Sequence, residues 1–172
     1  MRRLRPRVMP WVHGDWIDDE DAGATPGRWN FEPYVRHVCR QAGWKPLPPP
    51  MPIPSGDAHA YAKAILEEFA DLHVGECGQG LSEQARDIAF LNEPENAAVF
   101  ARAYHRPSRL RQAVKIAEAG EAYFEVFVEA DGCFVVVADI NEVLYDFGPG
   151  LPRFLEVMLR GLEWPPGVLG DF

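Results

Sequence analysis

The sequence predicts a single α+β domain, with helices segregated against one face of an antiparallel sheet. Three segments repeat apolar residues at the spacing i, i+3, i+4, i+7, i+8, i+11, which marks one face of a helix. Between the second and third of these segments, two aromatic and β-branched runs flank Asp131-Gly132, a dipeptide typical of a β-hairpin turn. The order is therefore two N-terminal helices, an antiparallel β-meander and a C-terminal helix packed on the sheet. A chain of 172 residues suits one such domain.

Residues 1–29 show neither a helical nor a strand period and are predicted to form a loosely ordered N-terminal arm. Four of its first seven residues are arginines and none is acidic, and an acidic run then spans residues 15–21. Trp11, Trp16 and Trp29 are candidate anchors of this arm. The remaining residues, 30–172, are predicted to form the folded domain.

The first helix is predicted to begin at the N-cap Asn30, with Pro33 in its first turn, and to stop at Gly43. Residues 46–54 are rich in proline and are interpreted as a stiff connector, with a PxxP ligand as the alternative. Ser55 or Asp57 then caps the second helix. The third helix carries its apolar residues from Leu151 to Leu162, and Trp164-Pro165-Pro166 closes the fold.

The predicted strands lie between the second and third helices, interrupted by a glycine-rich loop over 75–80 and a short helix from Asn96 to Pro107. Gly148-Pro149-Gly150 is expected to break the last strand. The strands are predicted over residues 72–74, 88–91, 113–118, 122–129, 133–139 and 143–147.

The charge of the chain is distributed unevenly. The whole sequence carries a net charge of −9, but its first ten residues contain four arginines and no acid. The 13 basic and 26 acidic residues that follow give the rest of the chain a net charge of −13. A surface this acidic argues against nucleic-acid binding, which requires a basic footprint. It suits a face that meets a basic protein partner.

The cysteines and the hydropathy pattern predict a cytoplasmic protein without a membrane contact. The chain has three cysteines, Cys39, Cys77 and Cys133. An odd number without a CxxC pair does not predict a disulfide framework. Cys39 and Cys133 lie in apolar segments and are expected to be buried. The N-terminus lacks the apolar core of a signal peptide, and no apolar run approaches the ~20 residues of a membrane span.

No metal or cofactor site is predicted. His73-x-x-x-Cys77 and His37-x-Cys39 offer metal-ligand atoms, but structural zinc sites bring two close-spaced pairs of ligands. The chain contains no phosphate-binding glycine motif of the GxGxxG or GxxxxGK[ST] type. The glycine-rich loop carries Glu76 where a phosphate cradle would avoid negative charge.

No catalytic residue is predicted either, although two alternatives stay open. Cys77 would need a nearby base to act as a nucleophile. Asp131, Asp139, Glu142 and Asp146 lie near strand ends, where a carboxylate pair could form. A small hydrolase-type enzyme using these groups is one alternative function, and a non-catalytic regulatory or scaffold module is the other.

Three pieces of the chain, taken in order, resemble the SUKH superfamily of bacterial immunity proteins, in particular its third subfamily. The first piece ends a helix at Ala42-Gly43-Trp44-Lys45-Pro46, and the second continues from Glu68-Phe69 to Leu72-His73-Val74. The third runs from the hairpin around Asp131-Gly132 into Leu144-Tyr145-Asp146-Phe147-Gly148 and a helix ending at Gly161. Residues 70–71 depart from the paired glycines of the family, and residues 115–118 depart from its P-I-G-E strand.

The resemblance implies a cytoplasmic, non-enzymatic immunity protein that binds and neutralises a cognate bacterial toxin domain, such as a nuclease, of a polymorphic or contact-dependent secretion system. Trp44 and Phe69 would be structural marks of the family. The expected partner is a basic toxin, and the protein is expected to be a monomer or weak dimer. The predicted toxin contacts are acids of the meander and two tryptophans of the arm: Glu129, Asp131, Asp139, Glu142, Asp146, Trp11 and Trp16.

Overall fold

The computed structural model describes residues 27–47, 54–96, 110, 112–138 and 143–169. Within these residues it confirms the α+β prediction, with three helices and a mostly antiparallel seven-stranded sheet. The helices are α1 (Pro33–Gln41), α2 (Ala58–Phe69) and α3 (Leu151–Arg160). The short helix predicted after Asn96 and most of the proline-rich connector lie outside the described residues.

Nine strands follow the chain in order. The large sheet has the order β1-β4-β5-β6-β7-β8-β9, and β2 and β3 form a separate small hairpin. Every described strand pairing is antiparallel. The strands are β1 (His73–Val74), β2 (Gly78–Gln79), β3 (Gln84–Ala85), β4 (Ile88–Asn96), β5 (Val114–Ala119), β6 (Phe124–Val128), β7 (Cys133–Ala138), β8 (Val143–Pro149) and β9 (Gly167–Leu169).

The helix ends follow local capping chemistry. The N-cap of α1 is Glu32, whose carboxylate accepts a hydrogen bond from the Val35 N–H at 3.3 Å, so the prediction of Asn30 was wrong by two residues. Asp57 caps α2 as one of the two predicted candidates, accepting from the N–H groups of the next turn. The helix α3 ends at Gly161, which takes the left-handed conformation at φ 59°.

The predicted hairpin joins β6 and β7, and the Asp131 carboxylate accepts from the Cys133 N–H across its turn at 3.0 Å. Strand β6 begins at Phe124, two residues later than predicted, because residues 120–122 form a turn with positive φ angles. Strand β8 continues through Gly148, since a register shift opposite Phe134 accommodates that glycine. Strand β4 is likewise longer than predicted, with a register shift after Phe90.

The strand β9 was not predicted, because three residues after two prolines carry too little periodicity to signal a strand. It adds to the edge of β8, and its central residue Val168 pairs with Leu144.

The main core lies between the helices and one face of the sheet. Phe69 contacts Phe90 with a ring-centroid distance of 4.9 Å, and Phe134 stacks on Phe154 at 4.7 Å. A smaller cluster on other sheet residues contains Phe127 and Val135, both fully buried. Burial of these large side chains supplies the main driving force for folding. Within the described residues, no helix combines the length and apolarity needed to cross a bilayer.

The last residues of the predicted arm join this core. Trp29 is buried and packs edge-on against Tyr61 of α2 at 6.1 Å. Arg28 is also buried; one guanidinium nitrogen lies 3.0 Å from Glu67, and its Nε lies 3.8 Å from the carboxylate of Glu68. Trp44 donates from its indole N–H to the same Glu68 at 3.0 Å. These contacts fasten the start of the described chain to α2.

Candidate functional site

Three of the predicted contact acids lie near one thiol at the β6–β7 hairpin. Glu129 and Asp131 place carboxylate oxygens within 4.8 Å of each other and of the Cys133 Sγ. Asp146 lies on the neighbouring strand β8, opposite Val135 of β7, and its charge also acts on the Cys133 thiol. We call Glu129, Asp131 and Asp146 the hairpin patch. Asp131 and Asp146 are exposed and Glu129 is half-buried.

The pKa of the Cys133 thiol is raised by burial and by the negative charge of the hairpin patch. Burial raises its pKa first, and a hydrogen bond to Asp131 and the charges of all three acids raise it further, to about 11. A site that resists forming one more anion also attracts cations. The hairpin patch is therefore a candidate contact for basic side chains at this end of the sheet.

The other four predicted contacts belong to parts of the chain that the structure does not describe. Asp139, Glu142, Trp11 and Trp16 lie outside the described residues. Strand β7 ends at Ala138 and β8 begins at Val143. These two residues pair with each other at the end of the sheet opposite the hairpin. The register thus separates the sheet end that carries the hairpin patch from the end at which β7 and β8 are connected.

A second polar cluster surrounds Asp87, which sequence reasoning did not single out. Asp87 directly precedes β4 and is only 8 % exposed. One carboxylate oxygen accepts hydrogen bonds from the Cys77 thiol at 2.9 Å and from the Glu121 N–H at 3.1 Å. The other lies 2.6 Å from the Nε2 of His73. Asp87 therefore ties β1, the glycine-rich loop and the β5–β6 turn together.

These contacts set the ionisation of Asp87 and Cys77 in opposite directions. Burial alone would raise the pKa of Asp87, but the hydrogen bonds from Cys77, His73 and the Glu121 N–H outweigh it and lower that pKa. The pKa of the Cys77 thiol is raised, first by burial and then by its hydrogen bond to Asp87 and by the nearby charges of Asp87 and Glu121. The cluster keeps a carboxylate charged and a thiol protonated.

Comparisons of this chain with protein-family models, curated proteins and solved structures find no match. Functional assignment therefore depends on the geometry of the two clusters and on the residues that carry the sequence resemblance.

The Asp87 cluster does not have the arrangement of a cysteine nucleophile with its base. The carboxylate stands between the thiol and the imidazole, so His73 is not the hydrogen-bond partner of Cys77. A nucleophilic cysteine requires a lowered pKa or an adjacent base, whereas the pKa of Cys77 is raised. The predicted alternative of a Cys77 nucleophile has no geometric support here.

The two His–Cys pairs noted in the sequence do not belong to a group of three potential ligand atoms within 4.8 Å in the described part of the chain. Among the residues that the structure describes, Glu129, Asp131 and Cys133 form the one group of three potential ligands within 4.8 Å. His73 and Cys77 are bridged by Asp87, and Cys39 is buried in α1 with a pKa raised to about 12 by that burial. A thiol must lose its proton to bind a metal, so raised thiol pKa values weaken such sites.

The β5–β6 turn beside Asp87 has an unusual backbone. Gly120, Glu121 and Ala122 all have positive φ angles, between 57° and 68°. Only glycine adopts this region without strain, so Glu121 and Ala122 each carry a conformational cost. The turn is held by the Gly120 N–H, which donates to the Asp87 carbonyl at 3.1 Å, and by the Glu121 N–H on the Asp87 carboxylate.

Proposed function

We propose that this protein is a binding protein for a basic protein partner, and that the partner is a bacterial toxin domain which it neutralises. The observation that carries the proposal is the hairpin patch, where two acids of the β6–β7 turn and one acid of β8 lie around Cys133. Residues 11–172 carry a net charge of −13, which also favours a basic partner. The resemblance to SUKH immunity proteins supplies the toxin as the class of partner.

The hairpin patch sits on a rigid part of the fold. Gly132, in the turn of the hairpin, lies against the ring of Tyr61. A Cβ added at Gly132 would stand only 3.2 Å from that ring. The Gly56 N–H before α2 donates to the Ala130 carbonyl at 2.8 Å. Contacts to α2 therefore preorganise the acids, which reduces the entropy lost on binding.

The proposal is tested on the protein encoded beside the gene for this chain. Its C-terminal domain is expected to bind the purified full chain, with an association rate that falls as salt concentration rises. Asp131→Asn and Asp146→Asn remove charge but keep the oxygens that accept backbone hydrogen bonds. Together with Glu129→Gln, they are expected to slow association by about tenfold or more.

Glu163→Gln is the matched control, since Glu163 is an exposed acid on the segment after α3. It is expected to leave the association rate nearly unchanged. An effect of the control as large, per charge removed, as that of the triple variant would show that the net charge acts without a defined hairpin contact. A neighbouring product that is a housekeeping protein and does not bind would contradict the immunity function itself.

A further inference from the structure

The ring of Tyr61 contacts both the hairpin turn and the start of the described chain. It lies so close to Gly132 that an added Cβ there would stand 3.2 Å from its Cε2 and 3.3 Å from its Cζ. It also packs edge-on against Trp29, with 6.1 Å between the ring centroids. Both rings are buried, since only 6 % of Tyr61 and 3 % of Trp29 is exposed. In a close-packed interior, such contacts fix the position of the tyrosine ring.

The same side chain reaches two further elements beside the hairpin. Its ring lies edge-on to Phe134 of β7, at 6.4 Å between centroids. Its hydroxyl forms a hydrogen bond with the backbone of Leu151, the first residue of α3. The preceding residue, Gly150, donates its N–H to the Gly132 carbonyl at 3.2 Å. Tyr61 therefore joins α2, the hairpin turn and the start of α3 at one point.

Trp29 is held beside Tyr61 by its neighbour in the chain. The buried guanidinium of Arg28 donates to the Ala64 carbonyl and lies 3.0 Å from Glu67, and both of these residues belong to α2. Removal of the Trp29 ring would leave a cavity beside Tyr61, and buried side chains relax into such cavities in part. The contact between Tyr61 and the hairpin turn thus depends on the docking of Trp29.

We propose that Tyr61 is the positioning residue of the hairpin patch and that Trp29 acts through it, so that full partner affinity requires the start of the domain to be docked on α2. Both rings act from the interior, without a contact to the partner. The inference rests on the proposed function for the identity of that partner. The turn can be examined without it, because the Cys133 thiol lies within the hairpin patch and interacts electrostatically with Tyr61.

The first test measures how fast iodoacetamide alkylates Cys133 in the folded full chain from pH 7 to pH 10, by peptide mass spectrometry. Burial is the largest cause of the raised pKa of this thiol, so a turn that moves away from Tyr61 exposes the thiol and speeds the reaction. Tyr61→Leu and Trp29→Leu are each expected to accelerate it by about threefold or more at pH 8. Tyr61→Phe keeps the ring and is expected to retain the wild-type rate.

Trp44→Leu is the matched control for Trp29→Leu. Trp44 is also buried, with 4 % exposed, but its ring packs on Phe31 and Phe69. Its loss is expected to destabilise the core while leaving the rate of the same alkylation unchanged in the folded chain. Equal acceleration by the two tryptophan variants, or a wild-type rate in Tyr61→Leu, would overturn the inference.

The second test separates this inference from the proposed function. The affinity for the C-terminal domain encoded beside the gene is expected to fall by about threefold or more in Tyr61→Leu and Trp29→Leu, and to change little in Trp44→Leu. If that domain binds the wild type and Tyr61→Leu equally well, the inference fails while the proposed function stands. If it does not bind at all, but the alkylation of Cys133 follows the expected order, the proposed function fails and Tyr61 still positions the patch.

Discussion

Cys77 donates its thiol hydrogen to the carboxylate of Asp87, with 2.9 Å between Sγ and Oδ1. The contact joins a glycine-rich loop to the residue before β4, ten positions along the chain. Because the acceptor is an anion, the contact favours the protonated thiol. A cysteine that looks available for chemistry in the sequence is therefore a structural hydrogen-bond donor.

Cys77 is predicted to alkylate slowly at neutral pH, because its raised pKa leaves little thiolate. Asp87→Asn removes the adjacent charge and is expected to accelerate the reaction by about threefold or more. Iodoacetamide labelling followed by peptide mass spectrometry measures the rate at each cysteine. Cys39 serves as internal control, since its burial in α1 is independent of Asp87. Faster labelling of native Cys77 than of the urea-unfolded chain would contradict the prediction.

Local signals in the sequence were sufficient to predict the helices and the central hairpin. Apolar periodicity predicted the faces that bury Ile65 and Phe154, and Asp131-Gly132 predicted the turn between β6 and β7. Two of the predicted contact acids, Glu129 and Asp131, are close because that turn brings them together.

The Asp87 cluster could not be predicted, because its hydrogen-bond partners come from segments up to 34 residues away. His73 and Cys77 were noticed as a pair, but nothing in the sequence shows that a carboxylate lies between them. Nothing in the sequence predicts the left-handed turn at residues 120–122, since glutamate and alanine are not the residues that usually mark positive φ. A polar residue immediately before a buried strand was the one available signal for Asp87.

Replacing Ala122 with glycine is predicted to stabilise the protein by about 1 kcal/mol, against the usual effect of glycine. The residue is exposed, with φ at 68°, so the substitution relieves strain without removing a core contact. Urea denaturation measures the free energy of unfolding. Ser82→Gly is the matched control at an exposed loop position with no positive φ angle, and it is expected to be neutral or slightly destabilising. Destabilisation by Ala122→Gly would show that the turn is not strained.

Gly80 is predicted to tolerate no side chain. A Cβ at this position would stand 2.5 Å from the Gly161 Cα and 2.7 Å from the Arg160 carbonyl oxygen. These are backbone atoms at the end of α3, and the Leu81 N–H also donates to the Arg160 carbonyl at 2.9 Å. Gly80→Ala is therefore expected to cost about 2–3 kcal/mol, because the Cβ would also meet the Glu83 carbonyl oxygen, so the small hairpin must both distort and shift from the helix end.

Gly56→Ala is the comparison for Gly80→Ala. Gly56 has a φ of 81°, but a Cβ there meets nothing within 4 Å, so only the backbone penalty of about 1 kcal/mol applies. Thermal or urea denaturation of both variants separates steric from conformational cost. A smaller loss for Gly80→Ala than for Gly56→Ala would contradict the close packing against α3.

Asp87 is predicted to support stability only where it is ionised. Its folded pKa is lowered below the ordinary 3.8, so its contribution is fully present above that value and is lost as the pH falls through the folded pKa. Asp87→Asn keeps one acceptor oxygen and is expected to cost about 1.5–3 kcal/mol at pH 6. Urea denaturation from pH 6 to pH 2.5 should show this difference shrinking in acid. A difference that does not change with pH would mean that the charge of Asp87 is irrelevant.

Glu68 is predicted to show the opposite slope. Burial raises its pKa above the ordinary 4.5, although the hydrogen bond from Trp44 and the charge of Arg28 act the other way. The folded state then holds the proton more tightly than the unfolded chain, so the contribution of this group to stability declines as the pH rises above about 4.5. Glu68→Gln cannot titrate and keeps an oxygen that can accept from the Trp44 indole. The stability of this variant relative to the wild type is therefore expected to improve between pH 4 and pH 7.

Glu67→Gln is the control for Glu68→Gln, because Glu67 shares the Arg28 guanidinium but is exposed to solvent. It is expected to cost less than about 1 kcal/mol, since an ion pair with a solvent-exposed carboxylate contributes little. If the stability of Glu68→Gln relative to the wild type instead falls as the pH rises, the charge of Arg28 outweighs burial in setting the pKa of Glu68. The segment Arg28–Trp29 would then be held to α2 by an ion pair that needs the ionised Glu68, and disruption of that pair would release the start of the domain from its core.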